Sequence, residues 1–113
     1  MNLSTDRVQG IAVVRVTESR LLYPVLSEFA DVVTSLIAAG ERRLLIDLSS
    51  VTSVDSATVG CLMDLHRQAD GAGAALKLAG VQKRVETMLA MTGAQGVIEA
   101  HADEASAIGS FQE

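Results

Sequence analysis

A single cysteine, Cys61, rules out an internal disulfide, so the chain must hold together by packing and suits a reducing cytoplasm. One tyrosine, two phenylalanines and no tryptophan leave an aliphatic core and few rings on which bases or sugars could stack. Basic charge is also short. Nine Lys and Arg stand against fourteen Asp and Glu, and the net charge of −5 argues against nonspecific nucleic-acid binding. No apolar run approaches the roughly 20 residues of a membrane span. The opening MNLSTDRVQG has no apolar signal-peptide core. There is no GxxxxGK[ST] phosphate loop, and Gly71-Ala72-Gly73 precedes a strand-like run rather than following one, so it is no dinucleotide fingerprint. His66, His101 and Cys61 have no metal-ligand spacing. Without a catalytic constellation, bound cofactor or metal, a non-enzymatic role is expected.

What is present describes a folded domain. Hydrophobic residues make up 49% and charged residues 20% of 113 positions, enough for one core, and a single domain over 1–113 is expected. Ile11–Val16 is β-branched and apolar, which predicts a strand, with Leu3–Val8 as a candidate hairpin partner. Thr17–Tyr23 reads as irregular. Pro24 stands where helices begin, and Leu26, Phe29, Val33, Leu36 and Ile37 recur at helical spacing up to Gly40. Leu44–Leu48 is too continuously apolar for a half-exposed strand and belongs in the middle of a covered sheet. Val59, Leu62, Met63, His66 and Ala69 mark a second helix ending near Asp70-Gly71. Ala74–Ala79 reads as a short buried strand. Val81–Met91 reads as a third helix, with Met88 and Met91 as core, stopped by Gly93. Val97–Ala100 is a candidate last strand and Asp103–Phe111 a terminal helix. Strands alternating with helices predict an α/β fold: a small mixed, partly parallel sheet packed with about four helices.

One stretch organises the rest. Leu44–Gly60 runs from the buried strand through a Ser/Thr-rich turn to Val54-Asp55-Ser56 at the start of the second helix. Asp55 is placed to cap the free amides of that helix, leaving Ser56 at its first position with the hydroxyl outward. A phosphate there would meet the positive end of the helix dipole. Asp47 is either a second acidic group near this site or a cap for the polar turn. Cys61, inside the helix without an activating neighbour, reads as a packing thiol.

The strand with Asp47-Leu48, the short turn and Val54-Asp55-Ser56-Ala57-Thr58-Val59-Gly60 resemble the signature of STAS domains, and in particular of bacterial anti-sigma factor antagonists. Ala74–Ala79 and the helix ending in Met91-Thr92-Gly93 extend the resemblance over roughly residues 40–100. Ala57 replaces a frequent serine and Thr58 a common glycine. Thr17-Glu18-Ser19-Arg20 stands where the family usually has Gly-Glu-Leu-Asp, a segment of its partner-facing surface.

The resemblance implies partner switching in the bacterial cytoplasm. Unphosphorylated, the protein would dock on an anti-sigma factor that is also a serine kinase. Phosphorylation of Ser56 would release it, and a serine phosphatase would reset it. Asp55, Ser56, Ala57, Thr58 and Asp47 would form the switch surface. ATP and magnesium would belong to the kinase. The alternative is a STAS-type scaffold or regulatory subunit, in a stress-sensing complex or a lipid transporter.

Overall fold

A computed structural model describes residues 2–112. The chain opens with a hairpin of β1 (Leu3–Val8) and β2 (Ile11–Val16), closed by Gln9 and Gly10 with φ of 53° and 81°. Two consecutive left-handed residues match the right-handed twist of the flanking strands, so the expected hairpin forms. The segment read as irregular contains a two-residue strand, β3 (Arg20–Leu21). A 3₁₀ turn at Tyr23–Val25, started by Pro24, leads into α1 (Leu26–Ala38). Then come β4 (Arg43–Asp47), a second two-residue strand β5 (Ser53–Val54) and α2 (Ser56–Gly71). β6 (Ala75–Ala79), α3 (Lys83–Thr92), β7 (Ala100–His101) and α4 (Glu104–Phe111) complete the chain. The last strand lies later than Val97–Ala100 because a 3₁₀ turn at Ala94–Gly96 follows the left-handed Gly93.

The main sheet has the order β1-β2-β4-β6-β7, so β4 is central, as its uninterrupted apolar run requires. Only β1 and β2 are antiparallel; β2, β4, β6 and β7 run parallel. Mixed α/β architecture with four helices is therefore what the sequence pattern describes.

The two faces of the sheet are unequal. On one, Ala12, Val14, Leu44, Ile46, Leu76 and Leu78 meet Phe29 and Val33 of α1, Val59, Leu62 and Leu65 of α2, and Val85 and Leu89 of α3. On the other, Ile11, Val13, Leu45 and Ala79 meet Ala107, Ile108 and Phe111 of α4. Alternation along each strand assigns neighbours to opposite faces. The buried face of α2 runs through Leu65 rather than His66, which is half-buried. Met91, expected in the core, is 78% exposed: it follows the buried Leu89 by two residues, about half a turn, which turns it to the solvent side of α3.

Candidate functional site

The C-terminal ends of the parallel strands carry the loops toward one pole, and the loop from β4 to α2 is held there on both sides. β3 pairs with β5 in parallel, Arg20 opposite Ser53 and Leu21 opposite Val54. The Ser19 carbonyl accepts from Thr52 N–H at 2.8 Å, Ser53 N–H at 3.1 Å and the Thr52 hydroxyl at 3.1 Å. On the other flank, Gln82 Nε2 donates to the Ser49 carbonyl at 2.5 Å. Gly80, with φ of 69°, packs so closely that an added Cβ would lie 2.7 Å from Ser49 Cβ.

At the end of this loop Asp55 has extended backbone and caps α2 as its sequence position predicts. Its Oδ1 accepts from Thr58 N–H at 2.9 Å, and the Asp55 N–H reaches back to Thr58 Oγ1 at 3.4 Å, a reciprocal capping box. Asp55 Oδ2 accepts from the Tyr23 N–H at 3.0 Å. That amide, then the Thr58 hydroxyl, holds the Asp55 carboxyl below the usual carboxylate range. The cap therefore does two jobs. It starts α2 and ties the 3₁₀ turn of Tyr23 to it.

Ser56 occupies the first position of α2, exposed, and its hydroxyl makes no hydrogen bond among the described residues. With the Thr58 amide taken by Asp55, the Ser56 and Ala57 N–H groups remain without an acceptor among the described residues. The site thus offers an uncommitted nucleophilic oxygen beside unsatisfied donors at the positive end of a 16-residue helix. A phosphate attached there gains donors instead of losing them.

Two residues assigned to the switch surface sit elsewhere. Thr58 is fully buried. Its single hydroxyl proton is shared between the Leu21 carbonyl at 2.5 Å and Asp55 Oδ1 at 2.8 Å, so it supports the site from beneath and presents nothing to a partner. The Asp-x-x-Thr spacing of a capping box is the sequence signal for that role. Asp47 has its carboxyl on the opposite face, like Leu45. It accepts from Ser49 N–H at 2.8 Å, capping the polar turn, and is hydrogen-bonded to Glu104 of α4. Burial first, and the Glu104 carboxyl next, push the Asp47 carboxyl up. Glu104 lies at about 2, held down by Arg15, whose Nε and Nη2 approach it at 2.7 and 2.9 Å, and by Asp47.

Beyond Ala57, which is half-buried, a groove of about 580 Å³ runs between α1 and α2, with Tyr23 at its rim and Cys61 in its wall. Tyr23 is 72% exposed. Burial, and then Asp64, push the Cys61 thiol up, away from thiolate, and Cys61 packs against the main core.

Known structures share this architecture at low sequence identity. An anti-sigma factor antagonist from Mycobacterium paratuberculosis superposes with a TM-score of 0.89 at 14% identity, covering 99% of this chain and 94% of that one. The Bacillus cell fate determinant SpoIIAA in its phosphorylated form gives 0.75 at 15% identity, covering 97% and 99%. A sulfate transporter family protein from Wolinella succinogenes gives 0.74 at 14% identity, covering 93% and 87%. No curated protein sequence matches significantly. The STAS domain family model matches residues 2–107, nearly the whole chain, and the protein belongs to the STAS domain family.

Proposed function

We propose that this protein is an anti-sigma factor antagonist that works by partner switching, with Ser56 as its phosphoacceptor. The observation that carries the reading is the Ser56 hydroxyl: exposed, unbonded among the described residues, and set at the first position of a helix whose cap is supplied by a different residue, Asp55. Unphosphorylated, the pole around Ser56 docks on an anti-sigma factor that is also a serine kinase. The kinase supplies ATP and magnesium and transfers a phosphoryl group to the Ser56 oxygen. The added charge of about −1.5 to −2 is tolerated by the helix end but not by a docked surface. A serine phosphatase resets the switch. Ser56 is then a substrate residue and the protein itself catalyses nothing. The reading places it in the bacterial cytoplasm, in keeping with the lack, among the described residues, of any helix long and apolar enough to cross a membrane.

The test is to incubate the protein with candidate anti-sigma kinases and ATP, map the phosphate by mass spectrometry, and titrate the product calorimetrically. One phosphate on Ser56 is expected, with affinity for the kinase reduced by roughly 1–3 kcal/mol, or about 5- to 150-fold. Modification confined to Ser49, Ser50, Thr52 or Ser53, or equal affinity of both forms, would overturn it. A second reading, a scaffold or regulatory subunit of a larger assembly, draws support from the fold likeness to the sulfate transporter family protein. Stable co-purification with such an assembly, indifferent to Ser56→Asp, is its signature.

A further inference from the structure

The charges at the Ser56 pole carry information about what docks there. Of nine Lys and Arg, Arg7, Arg15, Arg67 and Lys77 have carboxylate partners. Among the described residues Arg20, Arg42, Arg43, Lys83 and Arg84 have none. Arg42 and Arg43 have an internal explanation. They line a cavity at the far pole with Asp70, Gly73 and Phe111, beside the C-terminal ends of α2 and α4, where positive charge offsets the helix dipoles.

The other three have no such explanation. Lys83 and Arg84 are the first two residues of α3, so both cations sit at its positive end, where acids are favoured. Glu86 is the acid of that turn and forms no ion pair with either among the described residues. The Gln82 cap does not bond the helix either, since its side chain is committed to Ser49. Arg20 is exposed on β3 opposite Ser53, three residues before Ser56. The start of α3 packs on the same loop from the other side, through Gln82 and through Gly80. Two acids beside the loop are occupied, Asp55 by Tyr23 and Thr58 and Glu18 by the Asn2 amide, which leaves Glu86 as the unpaired acid of the α3 turn among the described residues. A chain of net charge −5 thus keeps three uncompensated cations flanking its phosphoacceptor loop, two of them at the expense of their own helix.

We infer that Arg20, Lys83 and Arg84 form a cationic rim that selects a protein partner with an acidic docking surface. The inference rests on the partner-switching reading and adds the partner's chemistry and a route to release. Phosphorylated Ser56 places its charge among the three cations, cancelling the field that draws the acidic surface in.

The experiment compares wild type with the triple reversal Arg20→Glu, Lys83→Glu, Arg84→Glu, and with Arg42→Glu, Arg43→Glu as a control at the far pole. Association with purified anti-sigma kinases of the source genome is followed by stopped flow at several salt concentrations. The triple reversal should slow association about 10-fold or more at low salt and reverse its salt dependence, while the control stays near wild type. Its melting temperature should hold or rise, because acids replace cations at the start of α3; a fall would mark these residues as structural and overturn the inference. Equal slowing by both variants would reduce the effect to net charge and overturn it too. In parallel, ¹⁵N-labelled protein is titrated with poly-L-glutamate. Shifts centred on 20, 49–56 and 82–84 support the rim even if no kinase binds, in which case the kinase reading alone falls. Shifts centred on 42–43 would overturn the rim.

Discussion

α2 and α4 begin in the same way and end up with opposite roles. Each has an aspartate cap that accepts the amide three residues on, Asp55 from Thr58 at 2.9 Å and Asp103 from Ser106 at 2.8 Å. They differ at the next residue. In α4 it is Glu104, an anion held by the Arg15 fork and by Asp47. In α2 it is Ser56, neutral, exposed and with no side-chain bond among the described residues. The fold itself demonstrates that the first position of a helix here accommodates a negative charge. What makes Glu104 an anchor is the arginine already bonded to it, and among the described residues the Ser56 side chain has no such bond. Phosphorylation would turn the second start electrically into the first, at a position with no ion pair formed in advance among the described residues.

The comparison is tested most severely by removing the anchor. Glu104→Ala should destabilise the protein by about 2–3 kcal/mol in denaturant titration, since it strips a half-buried guanidinium of two of its three charged hydrogen bonds and leaves only the one to Asp6. A loss under 0.5 kcal/mol would mean that α4 is held by its apolar face alone. Next comes Asp55→Ala, expected to cost about 1–2 kcal/mol through the lost cap. It should also free the Tyr23 amide, seen as faster hydrogen exchange there than in wild type; unchanged exchange would break the proposed tie between the 3₁₀ turn and α2.

A smaller effect concerns pH. The Glu104 carboxyl is lowered to about 2, so its contribution is complete above its unfolded value and is lost as pH falls toward 2. Asp47 is raised, so its share is complete below its unfolded value and is lost as pH rises through its folded one. The α4 anchor is therefore strongest near the ordinary carboxylate range and weakens on either side. Asp47→Asn, which keeps a donor toward Glu104 without a titrating proton, should raise the melting temperature at pH 7 by an amount worth up to about 1 kcal/mol and leave it unchanged near pH 4. A drop at pH 7 would reverse the assignment. The smallest effect belongs to Ser56→Ala, within about 0.5 kcal/mol of wild type by denaturation, because its exposed hydroxyl makes no hydrogen bond among the described residues.

Much of this is legible in the sequence, for a physical reason. Helix faces and the Asp55 cap are local, and local chemistry is written in neighbouring residues. The centrality of β4 was readable because burial on both faces demands an unbroken apolar run. That same run hid the destination of Asp47: where Leu44, Leu45 and Ile46 are all buried, alternation cannot be seen, so nothing indicated which face the next side chain would take. The β3–β5 pairing was hidden too, since two residues show no period and their partner lies more than thirty positions away. Thr58 was misplaced because its partner, the Leu21 carbonyl, belongs to that hidden pairing.

Gly80 has a consequence on another scale. Every missense change available by altering one base of a glycine codon introduces a Cβ. At this position that atom would fall 2.7 Å from Ser49 Cβ and 3.0 Å from Ser49 Cα, with a backbone φ of 69° that side chains resist. The strain would land on the loop leading to Ser56 and spare the core. A lineage drifting by point mutation would meet this residue as a regulatory lesion, a folded protein with a mis-set switch.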